Sequence, residues 1–174
     1  TGQLGDVMKE SAQAALSFAR VQATRLGLRG DFLTDREIQI HVPAGGVPKD
    51  GPSAGITMAC VLVSLVSGIP LRRDVAMTGE ITLRGRVLPI GGLKEKLLAA
   101  VRSGIRTAIV PHANLPEVSE LPEHLRQRIK ICPVHSVDEA LALALTRVLG
   151  KPGTPGVSGR GPVKMPPARR GGAA

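Results

Sequence analysis

Tryptophan and tyrosine are absent from this chain of 174 residues and phenylalanine occurs only twice, so no aromatic cluster can anchor the interior. With hydrophobic residues at 43%, the core must be assembled from Val, Ile, Leu and Ala, and the length suffices for one domain of ordinary size. Cysteine is nearly missing too. Cys60 and Cys132 stand in apolar surroundings without metal-ligand spacing, which excludes a disulfide framework or zinc site and reads as two buried thiols in a reducing compartment. No apolar run reaches the ~18 residues of a membrane span and the first residues lack a signal-peptide pattern, so a soluble protein with no membrane partner is expected. Thr1 in the place of an initiator Met points to a processed chain or a piece of a longer one.

The net charge of +9 resembles a nucleic-acid signature until it is located. Lys151, Arg160, Lys164, Arg169 and Arg170 lie in a Gly/Pro-rich C-terminal stretch with no acid, and they supply more than half of the excess. Such a stretch cannot bury enough surface to fold. With no aromatics interleaved to stack on bases, it reads as a solvated tail over residues 150–174 rather than a polyanion-binding arm, and residues 1–149 form the domain.

Within that domain Leu4 to Leu26 has helical spacing, ended by Gly27 and Gly30, and Glu37 to Val42 alternates as a half-buried strand does. A loop from Pro43 to Gly51 leads to an apolar helix. Asp74 to Thr82, interrupted at Gly79, and Arg86 to Ile90 read as strands joined by a hairpin near residues 80–88. Leu93 to Ser103 is helical, Thr107 to Pro111 a buried strand, Pro116 to Arg128 a broken helix, Ile129 to Val134 a strand and Val137 to Leu149 a last helix. The alternation predicts an α/β domain, its sheet made mixed by the hairpin and flanked by helices.

The stretch richest in chemistry is Val47-Pro48-Lys49-Asp50-Gly51-Pro52-Ser53-Ala54-Gly55. Pro52 suits a first helical position and Asp50 or Gly51 a cap, which puts Ser53 in the first turn, beside unpaired N–H groups and the positive end of the helix dipole. Serine there is most often only a capping group, but developing negative charge at its hydroxyl would be stabilised. Two familiar motifs do not fit. Pro52 occupies the lysine position of a phosphate-binding loop. A Gly-x-Ser-x-Gly elbow would need a downstream acid and histidine, and His112, His124 and His135 carry no supporting motif.

A serine nucleophile needs a base within hydrogen-bond reach. His41, on the strand feeding the loop, is one candidate, although its alternation with Ile38, Ile40 and Val42 suits an ordinary strand residue equally. Lys94 and Lys96 are the others, both on an otherwise apolar helix. A lysine base must be neutral, so burial has to bring its pKa from about 10.4 toward ~7 to 8. With about 100° per residue, both lie at the margins of the stripe Leu93, Leu97, Ala100 and Val101, where most lysines snorkel.

Three segments in order, Pro48 to Gly55, Met77-Thr78-Gly79-Glu80-Ile81-Thr82-Leu83-Arg84-Gly85, and Leu88-Pro89-Ile90-Gly91-Gly92-Leu93-Lys94-Glu95-Lys96, closely resemble the proteolytic domain of the Lon family in its bacterial and mitochondrial form, over about residues 1–146. The resemblance implies the Lon proteolytic fold, with Ser53 as nucleophile and Lys96 as base, 43 residues apart. It further implies that Thr78 holds the lysine amine, that N–H groups around Ser53, with Gly51 in the same loop, form the oxyanion hole, that Asp50 and Glu80 border the cleft, and that His41 is a neighbour of the site.

The activity implied is that of a serine endopeptidase with a Ser-Lys dyad, the proteolytic part of an ATP-dependent protease that degrades misfolded and regulatory polypeptides. Family members are hexamers whose ATPase module binds ATP and Mg. This chain has no such module, so no cofactor is expected in it, and as an isolated domain it would act on short or unfolded peptides without ATP. The rival readings are a Lon-like module that has lost its dyad and binds DNA, and a catalytically silent assembly scaffold. The terminal Gly-Gly-Ala-Ala is no peroxisomal address, and the bias of the tail favours bacterial cytoplasm over mitochondrial matrix.

Overall fold

The structure, a computed structural model, describes residues 1–2, 4–27, 37–42 and 50–149. The tail, Gly30 and the loop from Pro43 to Lys49 lie outside the described residues. Helix α1 (Asp6–Arg25) turns Met8, Ser11, Ala15, Phe18, Ala19 and Gln22 inward, the expected helical stripe, and Gly27 at φ 74° follows its end. Helix α2 (Gly55–Ser67) is buried on most of its circumference and stops at left-handed Gly68.

Strands β1 (Val75–Met77), β4 (Thr107–Pro111) and β5 (Lys130–Val134) make a parallel sheet in the order β1-β4-β5. Strand β4 is central, buried throughout, and its alternation divides the interior. Ile109 joins a core with α1, α2 and α6 (Val137–Ala144), whereas Ala108 and Val110 face Leu93, Leu97 and Val101 of α3 (Leu93–Arg102). Two short helices, α4 (Leu115–Ser119) and α5 (Glu123–Arg126), follow a 3-10 turn at His112–Asn114 and divide the expected broken helix. The α/β class with a parallel sheet and flanking helices is as expected.

Some expectations need correcting. The hairpin, β2 (Glu80–Ile81) with β3 (Val87–Leu88), is an antiparallel ribbon of its own rather than part of the parallel sheet. Its turn is drawn to the β5–α6 connection instead, through Val87 N–H to His135 O at 2.9 Å and Val137 N–H to Gly85 O at 2.9 Å. Gly85 is required there because a Cβ would meet the Phe18 ring at 2.3 Å. Glu37 to Val42 does alternate between exposed and half-buried, but among the described residues no ladder joins it to either sheet. Among the described residues its backbone bonds are to Thr1, through Ile40 O and Val42 N–H.

Helix α6 is shorter than its sequence pattern. Ser136 caps its start by accepting from Glu139 N–H, while the Glu139 carboxylate accepts from His135 N–H, and it ends at Ala144, where Arg72 takes over its last carbonyls. Arg72 donates from its backbone to Ala144 O at 2.8 Å and from its guanidinium to Leu143 O at 3.2 Å. The same guanidinium grips both oxygens of Asp74 and holds that carboxyl below its ordinary range.

Candidate active site

Ser53 does not lie in the first turn of α2. It precedes the Ala54 N-cap, since Gly55 N–H closes a tight turn onto Pro52 O at 3.1 Å and the helical bonds begin with Met58 N–H to Ala54 O. The Ser53 carbonyl turns aside to the β1–β2 connection, where it accepts from Gly79 N–H at 2.9 Å and from the Thr78 hydroxyl at 3.2 Å. Gly79 O in turn accepts from Ile56 N–H at 3.1 Å. The serine loop is thereby fastened to the end of β1. A Cβ on Gly79 would approach Val87 to 2.9 Å, so the interruption seen in the strand pattern marks a close crossing.

On its other side the loop rests on α1. Asp50 Oδ1 accepts from Met8 N–H at 3.0 Å and Gly51 N–H at 2.8 Å, and Ser11 Oγ donates to Pro52 O at 3.3 Å. The spacing predicted Asp50 or Gly51 as the cap of α2, and neither caps it; the Asp50 carboxylate caps α1 instead, whose own N-cap is the side-chain-less Gly5. Gly51 holds φ 110°. The N–H groups of Ser53 and Ala54 have no acceptor among the described residues.

Lys96 sits in the first turn of α3, behind left-handed Gly92, and its amine donates to Gly91 O at 2.9 Å. The side chain is exposed rather than buried, because α3 turns only Leu93, Leu97 and Val101 inward. Thr78, buried, spends its hydroxyl on the Ser53 carbonyl and not on the Lys96 amine.

Ser53, Thr78 and Lys96 nevertheless line one pocket of about 300 Å³. Its walls are Ala54 and Thr57 from the start of α2, Ala76 and Met77 of β1, Leu97 and Ala100 of α3, and Ala108, Ile109 and Val110 of β4. Lys94, Asp50, Gly51, Glu80 and His41 are not among the lining residues. His41 Nδ1 pairs with Thr1 Oγ1 at 2.9 Å, and Glu80 opens β2 opposite Leu88. Nor does another imidazole line the pocket: His112 and His135 stack on each other with centroids 4.0 Å apart.

Sequence reasoning missed Thr57, whose hydroxyl donates to Met77 O at 3.2 Å, and Asn114, whose buried amide pairs with Ile90. A helix-face threonine and an asparagine after a strand give no local signal of either.

Residues 1–147 match the family of the Lon protease (S16) C-terminal proteolytic domain. The chain is 53% identical over 171 residues to a Lon protease of Geobacter metallireducens, with 97% of this chain and 20% of that protein covered. It is 60% identical over 144 residues to Lon protease 2 of Herpetosiphon aurantiacus, covering 83% of this chain and 18% of the relative. Against a Lon protease of Xanthomonas oryzae pv. oryzae the figures are 58% over 149 residues, 86% and 18%. The chain thus spans no more than a fifth of the length of these curated relatives.

Proposed function

The chain belongs to the Lon protease family, and on that premise we propose that it cleaves peptide bonds with Ser53 as nucleophile and Lys96 as general base. The observation that carries the reading is the shared pocket: Ser53 at the α2 entrance and Lys96 at the start of α3 line one cavity, although they are 43 residues apart in sequence. In the deprotonated form that a base requires, the Lys96 amine donates one N–H to Gly91 O and keeps its lone pair for the Ser53 hydroxyl. Ser53 Oγ gives its proton to Nζ and attacks the carbonyl carbon. The resulting oxyanion takes the N–H groups of Ser53 and Ala54, at the positive end of α2. Collapse expels the amine, which receives the proton from Lys96, and water repeats the sequence on the acyl-enzyme. Thr78 fixes the Ser53 backbone.

The apolar walls from Ala76, Met77, Leu97, Ala100 and Ala108 favour substrates that present an apolar side chain beside the scissile bond. Since the relatives are about five times as long as the match, the same reading extends to the proteolytic part of an ATP-dependent, homo-hexameric endopeptidase of the bacterial cytoplasm. ATP and Mg would be held outside these residues. Nothing favours the alternative of a silent module that binds DNA or serves as a scaffold.

Hydrolysis of a fluorogenic peptide by the wild type and the Ser53→Ala and Lys96→Ala variants tests the reading. Each substitution is expected to cut kcat/KM by at least about 10³-fold, and fluorophosphonate labelling to vanish in Ser53→Ala. Undiminished cleavage by either variant refutes the dyad.

A further inference from the structure

Ile90 is buried, but β3 ends before it and two glycines follow, so no strand neighbour supplies partners for its N–H and C=O. A side chain supplies both. Asn114, 3% exposed at the end of the 3-10 turn after β4, accepts the Ile90 N–H on Oδ1 at 3.0 Å and donates from Nδ2 to Ile90 O at 2.8 Å. The second Nδ2 hydrogen goes to Glu117 Oε1, which leaves the amide one possible orientation. The next carbonyl in the chain, that of Gly91, holds the Lys96 amine at 2.9 Å, and Gly92 O accepts the Lys96 N–H. Gly91 and Gly92 carry no side chains to anchor this turn, so the points that hold it are the clamped Ile90 backbone on one side and the start of α3 on the other.

We propose that Asn114 is a positioning residue for Lys96: its carboxamide clamps the Ile90 backbone and thereby fixes the Gly91 carbonyl that holds the lysine amine. The proposal rests on the reading of Lys96 as the base. A buried amide costs free energy unless paired, and one satisfied on every side at this point specifies a backbone path that an apolar residue could not. Glu117, exposed on α4, acts through Asn114 by fixing which way its amide faces.

Lys94 provides an internal reference, being exposed on the same helix and outside the pocket. The folded chain is reductively methylated with formaldehyde and cyanoborohydride for a short time, and modification of Lys96 relative to Lys94 is read by peptide mass spectrometry. Asn114→Ala is expected to raise that ratio about threefold or more, the equivalent of one lost hydrogen bond. In peptide hydrolysis the same variant should lose about ten- to a hundredfold in kcat, with KM within about twofold. Glu117→Ala, a surface change that leaves the core intact, should shift both readouts the same way by less, and it decides the matter if Asn114→Ala does not fold. An unchanged Lys96:Lys94 ratio overturns the proposal, whether kcat is kept or falls. Because the ratio is read without substrate, it stands apart from the dyad test: Lys96→Ala retaining cleavage would refute the base, not the clamp.

Discussion

The carboxylate of Asp50 accepts the backbone N–H of Met8 at 3.0 Å, so the loop that carries Ser53 caps a helix that begins more than forty residues earlier. Gly5 makes room for it, since a Cβ there would come within 2.1 Å of the Asp50 carboxyl. Asp50→Ala removes the cap and should cost about 1 kcal/mol, while Asp50→Asn, which keeps an acceptor, should cost less. Gly5→Ala pushes the carboxylate away and should cost a similar amount. The two losses should not add in the double variant, because both remove one contact. Urea midpoints of the wild type, Asp50→Ala, Gly5→Ala and their double variant measure this, and full additivity would separate Asp50 from α1.

These contacts mark where the sequence ceases to be readable. The α1 stripe and the alternation of residues 37–42 were legible because each depends on local periodicity. That Asp50 would cap α1 rather than α2 was not, because the assignment depends on which distant N–H arrives beside it. The helical wheel could not separate Lys94 from Lys96; family resemblance selected Lys96, and of the two it is Lys96 that lines the pocket. Its exposure agrees with the margin of the stripe on which the wheel put it, because α3 buries only one stripe. Asn114 was invisible for the same reason as Asp50: its partner, Ile90, is 24 residues away.

Ala100 lines the pocket from α3 and is only half-buried, so a larger side chain can be introduced there without overpacking the core. Ala100→Leu should fill part of the 300 Å³ and discriminate against bulky apolar residues beside the scissile bond. For paired fluorogenic peptides with Leu or Ala at that position, the kcat/KM ratio should fall about tenfold or more in favour of Ala. An unchanged ratio would mean that the substrate side chain binds elsewhere.

Cys60, fully buried on α2, has its thiol pushed up to about 12 from 9.0 by burial. Below pH 9.0 the thiol is protonated in both the folded and unfolded chains, and its contribution to stability does not vary. Between 9.0 and about 12 the unfolded thiol ionises while the folded one stays neutral, so the folded state binds more protons and loses stability as pH rises. The chain has no tyrosine to add an alkaline transition of its own. Cys60→Ala will lower stability at neutral pH through the cavity it leaves, but its urea midpoint should fall less steeply than that of the wild type from about pH 9 to about pH 11. At neutral pH the native thiol should resist iodoacetamide and react only after unfolding, because alkylation requires the thiolate and access to it. Parallel midpoint curves for the two chains, or prompt native alkylation at Cys60, would show that α2 opens to solvent far more readily than its packing against α1 implies.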